Sequence, residues 1–289
     1  MSFLDHIKQC NHYNPLNYMP FLVDGIQYGW AKKEFVEQLK AYDKVFTIES
    51  DCLTINPALT TCEDRSAAIK PVLEQLHKEG VIDTWVNELY AITNHFGDEP
   101  AVLIERASVS YFGARGYGVH INGLVEKNDG VYIWIAKRAK DKPFWPGSLD
   151  QIVAGGQPAG ISLIENVIKE SEEEAAIPES ISAKAELMSE IHYRGETHSE
   201  KNRGLNVDTL FNYDLWLPDD FTPVNTDGEV DEFILMSLEE MADITDTSND
   251  FKANCNLVNI DLLIRRGLIS ETHADYNEIT QLLYAPAAL

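Results

Sequence analysis

Apolar and polar positions change period several times along this chain, and each change marks an element. Residues 3–11, 31–41 and 64–79 read as helical stretches, while Lys44–Ile48 and Leu53–Ile55 read as short strands. From Arg115 onward the period shortens to two. GYGVHINGLV and VYIWIAKR alternate around the turn EKNDG, the pattern of a β-hairpin. AKDKPFWPGSLD follows as a loop, kept irregular by its prolines and glycine. ELMSEIHYRG and LNVDTLFNYDLWLP make a second strand pair about the polar turn ETHSEKNRG, and EVDEFILMS adds a strand. SLEEMADI opens a helix with a Ser237/Glu240 capping box, and CNLVNIDLLIRRGLI supplies a closing helix with an apolar face. The change at Arg115 divides the chain into an N-terminal α+β unit, residues 1–115, and a larger unit, residues 116–289. Strands with helices between and after them predict an α/β sandwich for the second unit.

One stretch joins this patterning to chemistry: VAGGQPAGISLIENVIKESEEEAAIPES, residues 153–180. Ser162 and Glu165 form a capping box, so the helix is expected to start at Leu163, and it should stop before Pro178. At 100° per residue, Ile164, Val167, Ile168, Ser171 and Ala175 form the core-facing stripe. Glu165, Lys169 and Glu172 fall opposite, with Glu165 and Lys169 spaced to pair. Glu170, Glu173 and Glu174 fall on a third face beside the buried stripe. Three carboxylates at that spacing repel one another unless a cation binds among them, and hard divalent ions take oxygen ligands of this kind. Glycines 155 and 156 lie just ahead of the helix, where bare backbone can approach a phosphate or a metal closely.

Composition sharpens the picture. Lys+Arg 23 against Asp+Glu 47 gives a formal net charge of −24, which repels nucleic acid and leaves small phosphorylated metabolites as partners only through metal ions. With so many acidic residues, an acidic helix taken alone is by default a solvated surface. The glycine pair and Glu229, at the start of a strand, shift that balance. Cys10, Cys52, Cys62 and Cys255 show no zinc spacing and read as reduced, mostly buried thiols. No stretch approaches the roughly 20 apolar residues of a membrane span. The N-terminus carries no signal-peptide pattern, so a cytoplasmic location is the expectation.

The same stretch resembles the Nudix box. Gly155 takes the place of its first glycine, and Glu170, Glu173 and Glu174 match its Glu-x-x-Glu-Glu core. Lys169 stands for the usual Arg, Ser171 for an apolar residue, Ala176 for the second glycine and Ile161 for the first Glu. RAKDKPFWPGSLDQIVAGGQPAGIS, FNYDLWLPDDFTPVNTDGEVDEF and FKANCNLVNIDLLIRRG are similar to the thiamine-pyrophosphokinase-related Nudix hydrolases, and the resemblance extends over nearly the whole chain. It implies an α/β/α Nudix sandwich with a mixed sheet, preceded by a smaller α+β N-terminal domain. It also implies a metal-dependent pyrophosphohydrolase acting on thiamine diphosphate or its oxidised analogues.

On that resemblance Glu170, Glu173 and Glu174, with the Gly155 carbonyl, hold Mg²⁺ or Mn²⁺, and Glu170 or Glu229 serves as base. Arg138, Lys140, Lys142 and the Gly156 backbone are candidates for phosphate contact. Trp145, Tyr213 and Trp216 are candidates to stack on an aromatic or thiazolium ring, although strand aromatics more often serve the core. Two other readings stay open: hydrolysis of a nucleoside diphosphate derivative such as an oxidised guanine nucleotide, and a Nudix-like module that binds a metabolite without cutting it. Dimerisation, common in the family, is left open by the sequence.

Overall fold

The computed structural model describes residues 1–142, 144–196 and 203–286; most of the turn expected at 196–204 lies outside them. The chain begins with α1 (Phe3–Cys10), then β1 (Tyr18–Val23), β2 (Ile26–Lys32), α2 (Lys33–Leu39), β3 (Phe46–Ile48) and β4 (Leu53–Ile55). α3 (Cys62–Lys78), β5 (Leu89–Ile92) and β6 (Val102–Glu105) complete the first unit. Its four-stranded sheet runs β2-β1-β4-β3. Beneath the sheet the rings of Phe21, Phe35 and Phe46 surround Phe112 at centroid distances of 4.9, 5.1 and 5.9 Å. The β1–β2 hairpin was not expected. Its turn, Asp24-Gly25, has both residues at positive φ, the geometry Asp-Gly favours between two strands.

The second unit contains β7 (Arg115–Lys127), β8 (Gly130–Arg138), β9 (Leu149–Gln151), β10 (Val153–Gly156), α4 (Leu163–Ala175) and α5 (Glu179–Ser182). It continues through β11 (Glu186–Glu196), β12 (Leu205–Trp216), β13 (Val230–Ser237), α6 (Leu238–Thr247), α7 (Ala253–Arg265) and α8 (Tyr276–Leu283). The sheet order is β11-β12-β7-β8-β13, with β12 parallel to β7 and the other pairs antiparallel, so the sheet is mixed as expected. One face packs Val119, Ile121, Phe211 and Tyr213 against Val167 and Ala175 of α4. The other packs Leu124, Ile133 and Leu210 against α6, α7 and α8. This is an α/β/α sandwich.

α1 belongs to that second core: Phe3, Leu4, Ile7 and Cys10 are buried among side chains of α7 and α8 rather than with the rest of residues 1–115. The two units are also joined by the Arg203–Asp83 ion pair at 2.7 Å, and near the end of the first unit Gly113, at φ 53°, accepts the Trp30 N–H at 3.1 Å. Along one edge of β7, β8 pairs with the C-terminal part (Gly123–Lys127) and β10 with the N-terminal part, from Val153↔Ile121 to Gly156↔Gly118. A crevice opens where one partner gives way to the other, and α4 sits beside it. Among the described residues, no helix is long and apolar enough to cross a membrane.

Candidate functional site

α4 runs from Leu163 to Ala175, as the capping box and Pro178 predict, and Ser162 accepts the Glu165 N–H at its start. Two details of its faces differ. Ile164 is 38% exposed, and Asn166 is buried in its stead because its side-chain amide donates to the Gly156 carbonyl at 2.9 Å. Glu165 is taken up by the cap, so Lys169 pairs with Glu170 (2.9 Å) and Glu173 (3.0 Å) instead. The ammonium thus stands among the carboxylates. Against burial, which lowers it, Glu170 and Glu173 hold the Lys169 pKa up at about 12.

The two glycines of β10 are required by what lies on either side of them. A Cβ on Gly155 would meet the Glu170 side chain, with Cγ at 2.5 Å, and one on Gly156 would strike the Tyr90 hydroxyl and the Arg106 guanidinium, its Cζ at 2.8 Å. Successive strand residues face opposite sides. Glu170 therefore lies across Gly155 on the α4 side, and Tyr90 with Arg106 across Gly156 on the other. Gly118 leaves the Gly155 carbonyl oxygen uncovered; a Cβ there would stand 3.2 Å from it.

Glu174 reaches the strand edge, where its carboxylate accepts the Ala154 N–H at 3.0 Å. Burial pushes its carboxyl well above the ordinary range. The charges of Glu170, Asp150 and Glu229 add to that shift, and among the described residues no Lys or Arg pairs with it. Glu170 is raised too, by burial, despite its lysine. Glu173 is half exposed. Glu229 pairs with Lys142 at 2.6 Å and lines a small crevice together with Glu174, Asp150 and Arg138.

A cavity of about 560 Å³ adjoins this crevice, sharing Arg138 and Glu229 with it. Ala154, Gly155 and Gly156 form one side, Asp208 of β12 and His120 of β7 its floor, and Lys142, Phe144 and Trp145 another side. Trp85, Tyr90 and Arg106 bring the first unit to it. Of the residues expected to bind substrate, Lys142, Trp145 and Gly156 thus meet here. Arg138 lines the cavity too, but its guanidinium is committed to Asp150 (3.0 Å) and the Phe144 carbonyl (3.1 and 3.3 Å), so it braces the loop. Lys140 is exposed and outside the lining.

Tyr213 and Trp216 do not reach the cavity. Alternation along β12 sends Asn206, Asp208 and Leu210 to the cavity side and buries Tyr213 under α4, while Trp216, at the far end, lies 5.1 Å beneath Arg266. The aromatic walls come instead from Trp85, Tyr90 and Phe144, two of them more than sixty positions before the acidic helix. No periodicity links such distant segments.

Two groups of three potential ligands have their donor atoms within 4.8 Å of one another among the described residues: His120–Asp150–Cys255, and Glu49–Asp51–Cys52. The first is already neutralised. Asp150 pairs with Arg138 (3.0 Å) and Lys252 (3.3 Å), which against burial hold it at about 2. His120 is driven down to about 4 by burial and by Lys252. A divalent cation there would have to displace two internal cations. The second lies in the first unit, in the turn between β3 and β4, and no buried carboxylate contributes to it. The α4 glutamates offer oxygen ligands alone. Glu170 and Glu174 are partly buried, and of the two only Glu170 has a lysine partner. A divalent ion would have to displace Lys169 and draw together carboxylates that do not converge within 4.8 Å.

Residues 2–116 match the family described as "Domain of unknown function (DUF4743)". "Nudix hydrolase 20, chloroplastic" and "Nudix hydrolase 24, chloroplastic", both from Arabidopsis thaliana, are each 37% identical to this chain, over 98% of its length and 77% of theirs. Among solved structures, a C. elegans Ap4A hydrolase aligns with 53% of this chain and 98% of its own, at 11% identity and a TM-score of 0.38. The two plant relatives span both units, and on that likeness the chain belongs to the Nudix hydrolases, enzymes that cleave phosphoric anhydride bonds.

Proposed function

We propose that the protein is a divalent-metal-dependent pyrophosphohydrolase that cuts thiamine diphosphate, or an oxidised analogue of it, to the monophosphate. Water adds to phosphorus, the P–O–P bridge breaks, and orthophosphate leaves. The observation that carries the reading is the pair Glu170 and Glu174, partly buried carboxylates that share a single lysine, on Glu170, braced on bare glycine backbone beside a cavity of ligand size.

Glu170, Glu173, Glu174 and the Gly155 carbonyl would hold Mg²⁺ or Mn²⁺. Such an ion, when bound, neutralises diphosphate oxygens and lowers the pKa of its water. The rest falls to the chain's own groups. Glu229, whose charge acts on Glu174, is itself held by Lys142, and Glu170 and Glu229 are the two candidates to take the proton of the attacking water. Trp85 and Trp145 offer rings suited to a cationic heteroaromatic, and Asp208 puts a carboxylate on the same floor. The thiamine assignment draws on the resemblance of the segments around Trp145, Tyr213 and Asn254 to that subfamily, with these walls as support.

The test is a panel of thiamine diphosphate, oxothiamine diphosphate, ADP-ribose and an oxidised guanosine diphosphate, each with Mg²⁺ and with Mn²⁺. The expected product is the thiamine monophosphate, formed only with metal. Turnover of the guanosine compound with both thiamine compounds untouched would overturn the substrate assignment.

A further inference from the structure

The first unit shapes the catalytic cavity, and one of its side chains is oddly placed for a residue whose task is only to hold two units together. Arg106 follows β6 directly. Its guanidinium lies 5.6 Å over the Tyr90 ring and against Gly156, yet its ion pair, 2.9 Å from Nη1 to Glu88, is made within its own unit. About 41% of the side chain stays accessible, and it lines the cavity. Docking between the units is carried elsewhere. The loop after β10 is tied down by the Ala159 N–H donating to the Leu89 carbonyl (2.8 Å), and Arg203 pairs with Asp83 (2.7 Å). Arg106 is thus held in place by its neighbours with a donor face left toward the cavity.

We propose that Arg106 is a substrate-binding residue that the first unit supplies to the hydrolase site, gripping the diphosphate where it crosses Gly156. The inference rests on the pyrophosphohydrolase reading. Gly155 and Gly156 put only one strand of bare backbone between Glu170 and Arg106. A diphosphate group is long enough to span two adjacent residues, with one phosphate at the carboxylate side and the other at the guanidinium. Arg106 and Glu170 already act on each other's charge across that strand. Tyr90, buried beneath the guanidinium, fixes its plane, and the absence of a side chain at position 156 lets the Tyr90 hydroxyl and the guanidinium lie directly against the strand. The role follows for the whole N-terminal unit: its fold presents Arg106, Tyr90 and Trp85 as one wall of the site.

The experiment uses the full chain and methylenediphosphonate, a diphosphate that cannot be hydrolysed, with binding measured by calorimetry in Mn²⁺. Arg106→Gln should weaken binding at least tenfold, Arg106→Lys by less, and added methylguanidine should recover part of the loss in Arg106→Ala. Melting temperatures should match the parent, because the Glu88 pair is surface-accessible. Equal affinity in Arg106→Gln and parent would overturn the proposal, as would a parent that fails to bind methylenediphosphonate in Mn²⁺. Diphosphonate binding that depends on Arg106, together with failure to cut thiamine diphosphate, would instead remove only the substrate assigned above.

Discussion

Asp150, buried, and Glu174, partly buried, are carboxylates lining one crevice, and the protein treats them in opposite ways. Arg138 and Lys252 close on Asp150, Cys255 donates to it at 2.8 Å, and its pKa is held at about 2. Glu174 receives one backbone N–H, from Ala154, and burial pushes it far up. A buried charge is tolerated when partners and hydrogen bonds surround it. Where the fold supplies them the carboxylate is architecture, and where it withholds them the carboxylate is prepared for a cation from outside. Sequence distinguishes the two poorly. Both are acidic residues in an acidic chain, and the cations that decide the matter lie 12 and 102 positions from Asp150.

The sharpest way to break the comparison is Glu174→Gln. It removes a ligand on the open side, and turnover should fall by more than the roughly hundredfold that loss of a residue merely supporting a metal ligand can cost. Stability should hold or rise, because the charge removed is largely desolvated and poorly compensated. Mn²⁺ should raise the parent's melting temperature by the ordinary linkage of a ligand that binds only the folded state, and should leave the variant's nearly unmoved. A variant that hydrolyses at the parental rate sinks the assignment.

Asp150→Asn probes the other side. Two buried cations lose their partner, so unfolding should become easier by about 3–5 kcal/mol in a denaturant titration. The Mn²⁺ response should survive in the molecules that fold. Unchanged stability with a lost Mn²⁺ response would exchange the two roles.

The closed cluster also sets an acid limit. His120 is buried and neutral, with a folded pKa of about 4 against 6.5 for the free side chain. The unfolded chain therefore takes the proton first. Stability is full above pH 6.5, declines as pH falls toward 4, and loses roughly 3 kcal/mol at most from this group. Asp150, depressed in the fold, extends the loss from the free side chain's 3.8 down to about 2. His120→Gln should flatten the upper window alone in melting curves taken against pH. A parental slope between pH 6.5 and 4 in that variant would show that other groups set it.

Local signals in the sequence carried a good share of the fold. The cap at Ser162 and Pro178 bounded α4, β4 was read to the residue, and the β7–β8 hairpin followed from strict alternation. The β1–β2 hairpin has its own local signal, Asp24-Gly25 between apolar runs, which the helical-looking AKKEF that follows masks. The site was legible only on one side. Glutamate spacing pointed to Glu170 and Glu174, whereas the wall of Trp85, Tyr90 and Arg106 exists because two units pack together, and Tyr213 was lost to strand parity.

The smallest effect lies at the end of α4, on the open side of the comparison. Ala176 closes the helix at φ 52°, a conformation that costs a residue with a Cβ about 1 kcal/mol and glycine far less. The Nudix box has glycine here, and the geometry gives the reason: Ala176 donates back to the Glu172 carbonyl so that the chain can turn sharply behind Glu173 and Glu174. Ala176→Gly should therefore stabilise the protein by up to about 1 kcal/mol, since relief of strain outweighs the extra freedom glycine gives the unfolded chain. Turnover should stay within about twofold, because the carboxylates keep their backbone positions. A gain in stability accompanied by a large fall in rate would mean that the strained cap helps to aim Glu174, and the open side would then be less rigid than its hydrogen bond to Ala154 implies.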